Sequence, residues 1–198
     1  MRKNTMNKKL QIVIDAQNDF ITGALKNDQA IAAVPNLVAR IKAHDGAVIA
    51  THDTHFNKTQ VESNWPPYPN SQVYEKTLEG QKLPVPHCIK LTEGWEIQKD
   101  ILAALNEKNA NGPTKFFAVD KYTFGKIDWA AVLTGMDFDE IEIFGFCTDI
   151  CVISNALILR AMFPNMKITV VKDCCAGVTP ELHEAALKVM QSCQIDVE

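Results

Sequence analysis

Short apolar segments alternate with amphipathic segments along the chain. Residues 10–14 are almost all apolar, which is typical of a strand buried on both faces. Residues 30–44 carry apolar side chains at helical spacing and end before Asp45-Gly46, a helix stop signal. The same criteria predict further strands at 47–51, 116–119, 141–144 and 167–171, an edge strand at 194–197, and helices at 149–162 and 180–192.

This alternation predicts an α/β fold, with a mostly parallel sheet and helices on both faces. In such sheets, ligands bind at the carboxyl ends of the strands. Polar residues follow four predicted strands: Asp15, then 52–55, then Asp120 and Lys121, then 145–151. Residues 56–94 hold most of the prolines and have no clear period, and so long a loop in a compact domain is usually functional. We therefore expect the site at this edge of the sheet.

Composition limits the possible functions. The chain has 198 residues, 46% of them hydrophobic, and a net charge of −4 without a block of like charge. These values favour one domain at 10–198 after a flexible lead-in at 1–9, and give no reason to expect nucleic acid or a membrane as partner. Six cysteines show no disulfide spacing, so reduced thiols and a cytoplasmic location are expected.

Cys151 is the candidate nucleophile. It follows the strand at 141–144 and falls in the first turn of the predicted helix, where helix N–H groups lower a thiol pKa and can bind an oxyanion. Thr148 or Asp149 could cap that helix. The alternative is a buried structural thiol, which the cysteine alone does not exclude.

A thiol nucleophile needs a base and a balancing charge. Asp15 leaves an apolar strand, where desolvation raises a carboxyl pKa, and a neighbouring lysine would oppose that shift. Lys121 follows the predicted strand at 116–119 and is therefore expected at the same edge of the sheet. The alternatives are a turn-capping aspartate and an ordinary surface lysine.

Three motifs together resemble the isochorismatase-like cysteine hydrolases, a family that includes nicotinamidases. They are Val-Ile-Asp-Ala-Gln-Asn-Asp-Phe around Asp15, Val-Asp-Lys-Tyr-Thr-Phe-Gly around Lys121 and Gly-Phe-Cys-Thr-Asp-Ile-Cys-Val around Cys151. The resemblance implies a three-layer fold with a six-stranded sheet and a thioester mechanism on Cys151. It assigns Asp15 to proton transfer, Lys121 to orienting the carboxylate, and the backbone N–H groups of Cys147 and Cys151 to the oxyanion. It also implies a cis peptide bond between Phe146 and Cys147.

The resemblance to nicotinamidases further implies a divalent metal, with zinc expected and iron or manganese as alternatives. Asp53, His55 and His87 match the ligand positions, Glu79 lies where a fourth ligand could reach, and Glu62 is less suited. Two histidines and a carboxylate leave open positions for water or a ring nitrogen. The alternative is that these histidines only hydrogen-bond within the loop. Structural roles are expected for His44, His52 and His183.

Nicotinamide deamidation is the leading prediction, with a homo-oligomer expected by resemblance. Where family nicotinamidases usually carry a stacking aromatic residue, this chain has Pro84, so Phe20, Tyr122, Phe124 or Trp65 would have to line the substrate pocket. The first alternative is a metal-free relative acting on another small amide or an N-carbamoyl compound. The second is a non-catalytic binding protein or thiol sensor.

Overall fold

The computed structural model describes residues 8–63, 72–110 and 115–198. Six strands form one sheet: β1 (Lys9–Ile14), β2 (Val48–Asp53), β3 (Phe116–Lys121), β4 (Glu140–Phe146), β5 (Lys167–Ala176) and β6 (Asp196–Val197). Their order is β3-β2-β1-β4-β5-β6 and every pairing is parallel. The predicted fold class is confirmed. Strand β1 begins at Lys9, which was predicted to be the last residue of the lead-in.

Eight α-helices surround the sheet in the described part of the chain. They are α1 (Asn18–Ile21), α2 (Asp28–Lys42), α3 (Lys58–Glu62), α4 (Leu78–Lys82), α5 (Lys99–Glu107), α6 (Trp129–Leu133), α7 (Ile153–Met162) and α8 (Pro180–Ser192). A 3₁₀ turn at Tyr74–Lys76 and a π-helical turn at Thr148–Val152 complete the elements. Helix α2 packs on α5 and β5, and α7 packs on α8.

Capping residues explain where the longer helices begin. The Asn27 side chain accepts hydrogen bonds from two N–H groups of α2, and the Thr179 side chain does the same for Leu182 of α8. The bounds of α8 match the prediction, and Pro180 occupies its first turn. Helix α5 was not predicted, although its side of Ile101, Ala104 and Leu105 is buried.

Strand β1 lies at the centre of the sheet, between β2 and β4. The strand order reverses at β1: β2 and β3 lie on one side of it, and β4, β5 and β6 lie on the other. Such a switch point opens a crevice at the carboxyl ends of the strands. The C-terminal ends of β1, β2 and β3 therefore bring Asp15, Asp53 and Lys121 to one location. Within the described ranges, no helix combines the length and apolar character that a bilayer crossing requires.

Candidate active site

Lys121 stands between the two acidic groups and the thiol. Its Nζ lies 2.8 Å from Oδ2 of Asp15, 2.9 Å from Oδ1 of Asp53 and 3.4 Å from Sγ of Cys151. All four residues are at least 96% buried. The structure thus brings the three sequence-predicted residues Asp15, Lys121 and Cys151 together, and it adds Asp53 to them.

The backbone around Asp15 is shaped to present its carboxylate. Asp15 has a φ of +46°, which side chains other than glycine rarely adopt. Thr51 holds the residue from both sides, since its Oγ1 accepts from Asp15 N–H at 3.1 Å and donates to Oδ1 at 2.5 Å. Oδ2 lies 2.8 Å from the ammonium group of Lys121, and no other donor in the described chain binds it.

Gly145 allows β4 to approach β1 next to Asp15. Its φ is +130°, and a Cβ on this residue would lie 2.0 Å from the carbonyl oxygen of Ile14. Only glycine fits such a conformation and such a contact. The strand that delivers Cys151 can therefore lie directly against the strand that delivers Asp15.

Cys151 lies in the π-helical turn that precedes α7. The peptide bond between Phe146 and Cys147 is cis, as predicted. Neither Thr148 nor Asp149 caps a helix here, so that expectation is wrong. Both contact the C-terminal part of the chain instead: Thr148 Oγ1 lies 2.8 Å from Nδ1 of His183 in α8, and Asp149 Oδ1 accepts from Val178 N–H, just before α8, at 2.9 Å.

Burial dominates the protonation of this site. It raises the pKa of the Cys151 thiol well above its usual value; Lys121 opposes this rise, and the negative charges of Asp15 and Asp53 add to it. The expectation that the helix start lowers this pKa is wrong, because desolvation and the charges of Asp15 and Asp53 outweigh the opposing influence of Lys121. Burial also raises the pKa of Asp15, which Lys121 only partly offsets. A protonated thiol thus lies in one site with a carboxylate of raised basicity.

Asp53, His55, Glu79 and His87 form the one group in the described residues that could hold a metal ion. Nε2 of His55 lies 2.9 Å from Asp53 Oδ2 and 3.7 Å from Glu79 Oε1. Nε2 of His87 lies 3.7 Å and 3.4 Å from the same two oxygens. Tetrahedral zinc places its ligand atoms about 3.4 Å apart, so these donors fit zinc. Glu62 is not in this group and pairs with Lys58.

Second-layer contacts hold the two imidazoles in place. His87 Nδ1 donates to the Val85 carbonyl at 2.9 Å, so the ring is oriented with Nε2 toward Asp53 and Glu79. The ring of Tyr74 lies edge-on to both His55 and His87, with centroids 4.8 Å and 5.3 Å away. The Tyr74 hydroxyl donates to the Leu83 carbonyl and so ties the two ends of this loop together.

Asp19 anchors the loop that carries His87, and sequence reasoning missed it. One oxygen of this buried carboxylate accepts from Cys88 N–H at 2.7 Å, and the other accepts from Ala24 N–H at 2.9 Å. A Cβ on Gly94 would lie 2.1 Å from this carboxylate, so glycine leaves the room for it. An acidic residue four positions after Asp15, beside the apolar Phe20, was the available signal.

A cavity of about 1180 Å³ connects the thiol with the metal-binding group. The predicted pocket residues Phe20, Tyr122 and Phe124 all line it, and the Phe20 ring lies edge-on to His87 at 5.6 Å. Pro84 is exposed and does not line the cavity. Trp65 lies outside the described residues.

Known proteins resemble this chain over nearly its full length. The chain is 26% identical to the nicotinamidase/pyrazinamidase of Mycobacterium tuberculosis, covering 94% of this chain and 96% of that one. It is 25% identical to the nicotinamidase of Escherichia coli, covering 91% and 88%. A crystal structure of nicotinamidase/pyrazinamidase from Bacillus subtilis superposes with a TM-score of 0.73 at 25% identity, covering 96% and 98%.

More distant structures share the fold. The pyrazinamidase of Pyrococcus horikoshii, solved in complex with zinc, superposes with a TM-score of 0.67 at 22% identity, covering 96% and 98%. The family model for the isochorismatase domain matches residues 9–198. The predicted family and the predicted class of enzyme, a hydrolase of this family, are confirmed. The chain therefore belongs to the isochorismatase family.

Proposed function

We propose that the protein is a nicotinamidase-type amidohydrolase that converts nicotinamide and water to nicotinate and ammonia through a thioester on Cys151. The observation that carries the proposal is the position of Lys121. Its Nζ is within 3.4 Å of the thiol and within 3 Å of two carboxylates, one of which also belongs to the metal-binding group. Nucleophile, base and metal group therefore share one buried site.

Asp15 is the proposed base for the first step. Burial raises its pKa, and Lys121 beside Oδ2 only partly offsets that rise, so Asp15 can take the thiol proton. The sulfur then bonds to the amide carbon while the carbonyl π electrons move to oxygen. The backbone N–H groups of Cys147 and Cys151 are the proposed donors to that oxygen.

Collapse of this adduct breaks the carbon–nitrogen bond. Asp15 returns the proton to the leaving nitrogen, and ammonia departs. Water then attacks the thioester, giving its proton to Asp15, and the carboxylic acid leaves as the thiol is restored by that proton. Lys121 keeps its charge throughout, because Asp15 and Asp53 raise its pKa well above the usual value even though burial acts against them.

The metal-binding group supports an aromatic ring substrate. Asp53, His55, His87 and Glu79 would hold the ion, and their donor types and spacing fit zinc, with iron or manganese also compatible. When bound, the ion would supply a Lewis-acidic position open to a ring nitrogen or water. Phe20, beside His87 and lining the same cavity, is the proposed apolar contact for the ring.

Ammonia release from nicotinamide tests the proposal. We expect turnover by the metal-loaded protein, none above background for Cys151→Ala, and recovery of activity when zinc, manganese or iron is returned after chelation. Cys193→Ala is the matched control, because Cys193 is partly exposed at the end of α8 and should not affect turnover. If the protein hydrolysed N-carbamoyl compounds but not nicotinamide, and chelation did not change that activity, the alternative of a metal-free hydrolase of this family would be favoured.

A further inference from the structure

The reaction cavity is larger than a single-ring amide requires. Its volume is about 1180 Å³, whereas pockets that enclose a whole drug-sized ligand usually measure about 300–1,000 Å³. A single aromatic ring with one carboxamide, held between Cys151 and the metal group, would fill only a small part of it. Other side chains line the remaining part of the cavity.

Those outer walls are apolar. Besides the reaction groups, the cavity is lined by residues from α4, the start of α2, the π-helical turn and the loops after α1, β3 and β5. The apolar ones include Leu25, Leu78, Leu83, Phe124, Ile150 and Val178. Of the charged residues on the same rim, Lys26 and Asp28 pair with each other at 2.9 Å, and Lys82 also lines the cavity.

Exposed apolar side chains concentrate at this opening. Among the described residues, eleven large hydrophobic side chains are exposed. Five of them line this one cavity, namely Leu78, Leu83, Tyr122, Phe124 and Val178. Apolar surface gathered around a concave site normally marks a ligand or partner contact. Here it is continuous with the space beside the thiol, so a bound molecule can occupy both.

We propose that this outer part of the cavity is a subsite for the distal portion of the substrate. The inference rests on the proposed amidohydrolase function and narrows its substrate class to primary ring carboxamides that carry an aryl or alkyl extension. The ring carboxamide occupies the inner site, and the extension lies against the outer apolar side chains. Burying the extension stabilises the bound state in proportion to the apolar area removed from water.

Paired kinetics test the subsite. Ammonia release is measured for nicotinamide and for a phenyl-substituted nicotinamide, and the ratio of their kcat/KM values is compared among variants. We expect the wild type to favour the extended amide by about tenfold, the scale of discrimination available to an apolar pocket. Val178→Asn should lower that ratio about tenfold.

A matched valine provides the control. Val178 and Val189 are 53% and 47% exposed, but only Val178 lines the cavity, so Val189→Asn should leave the ratio unchanged. An unchanged ratio in Val178→Asn, or a wild type that prefers nicotinamide, would overturn the subsite. A shift in oligomeric state by Val178→Asn without a change in the ratio would also overturn it and would assign the patch to a second copy of this chain. Absence of ammonia from both amides would instead reject the proposed function.

Discussion

The ammonium group of Lys121 lies 2.9 Å from Oδ1 of Asp53, whose other oxygen lies 2.9 Å from Nε2 of His55. Asp53 therefore belongs both to the charge network around the thiol and to the metal-binding group. A substitution in the charge network or in the metal-binding group therefore affects the other through the carboxylate of Asp53. The order of β3, β2 and β1 produces this relationship, since Asp53 pairs in register with Lys121 across adjacent strands.

Removing the Lys121 charge should harm both folding and catalysis. In Lys121→Met the two buried carboxylates lose the cation between them, and loss of one partner of a buried ion pair lowers the free energy of unfolding by about 3–5 kcal/mol. We expect kcat/KM to fall about 10²–10³-fold in the folded fraction. Urea unfolding and ammonia release measure the two effects.

Lys58→Met is the control for that substitution. Its ion pair with Glu62 is exposed, and such pairs contribute about 0–1 kcal/mol. Equal stability losses in the two variants would contradict a buried, charged Lys121.

Asp19 should control metal affinity without touching the metal. In Asp19→Asn one side-chain oxygen becomes an N–H donor, so one of the two backbone N–H groups, of Cys88 or Ala24, loses its acceptor. The loop carrying His87 then loosens, and outer-layer changes of this kind weaken metal binding about 10–100-fold. Competition with a chromogenic chelator measures zinc affinity directly.

Asp100→Asn gives the comparison for the Asp19 variant, because Asp100 is exposed at the start of α5. Zinc affinity should remain at the wild-type value there. An Asp19→Asn protein that keeps wild-type affinity would show that the loop needs no such anchor.

Gly145 and Gly135 both have a positive φ, but only Gly145 lies in close contact with another strand. Their alanine variants therefore separate the stability cost of a steric contact from the cost of the backbone conformation. Gly145→Ala places a methyl group against the Ile14 carbonyl and adopts a φ of +130°, while Gly135→Ala has a φ of +79° and no atom within 4 Å. The second change should lower the free energy of unfolding by about 1–2 kcal/mol, from conformation alone. The first should lower it clearly more. Similar losses in urea unfolding for both would refute the close β1–β4 contact.

Glu142 should make stability depend on acid pH. Burial acts to raise its pKa, but hydrogen bonds from Arg40, Lys9 and Gln11 outweigh burial and lower the pKa from 4.5 to about 2. Because the folded-state pKa is the lower one, the stabilisation is present above pH 4.5 and disappears as pH falls toward about 2. It amounts to about 3 kcal/mol at neutral pH.

Glu142→Gln tests this dependence. The variant should be less stable than the wild type at neutral pH, and the difference should shrink between pH 4.5 and about 2. Glu107→Gln, at an exposed ion pair with Lys42, should show no such slope. Parallel stability curves for wild type and Glu142→Gln would contradict the pKa shift.

The alternation of apolar runs was sufficient to predict the sheet, because its central strands are buried on both faces and read as continuous apolar segments. The π-helical turn before α7 was not predictable, since Thr148 and Asp149 within it contact His183 of α8 and Val178 just before α8, which are distant in sequence. Helix α5 was missed because it adjoins a long loop without a clear period.

The metal group shows a similar division. Asp53 and His55 are two apart on an extended segment, which predicts that they point to one side. The approach of His87 and Glu79 depends on contacts far apart in sequence, such as Asp19 with Cys88 and Tyr74 with Leu83. The raised pKa of Cys151 also needed the structure, because burial and the positions of two carboxylates determine it.

Trapping the acyl-enzyme tests directly whether Cys151 forms a thioester with the substrate. Metal-loaded protein is mixed with nicotinamide and quenched in acid during turnover. The protein is then digested, and the mass of the peptide containing Cys151 is measured by mass spectrometry. We expect a nicotinoyl group on Cys151 in the wild type and none in Cys151→Ala. Full-rate ammonia release by Cys151→Ala, with no adduct on any wild-type peptide, would contradict this expectation.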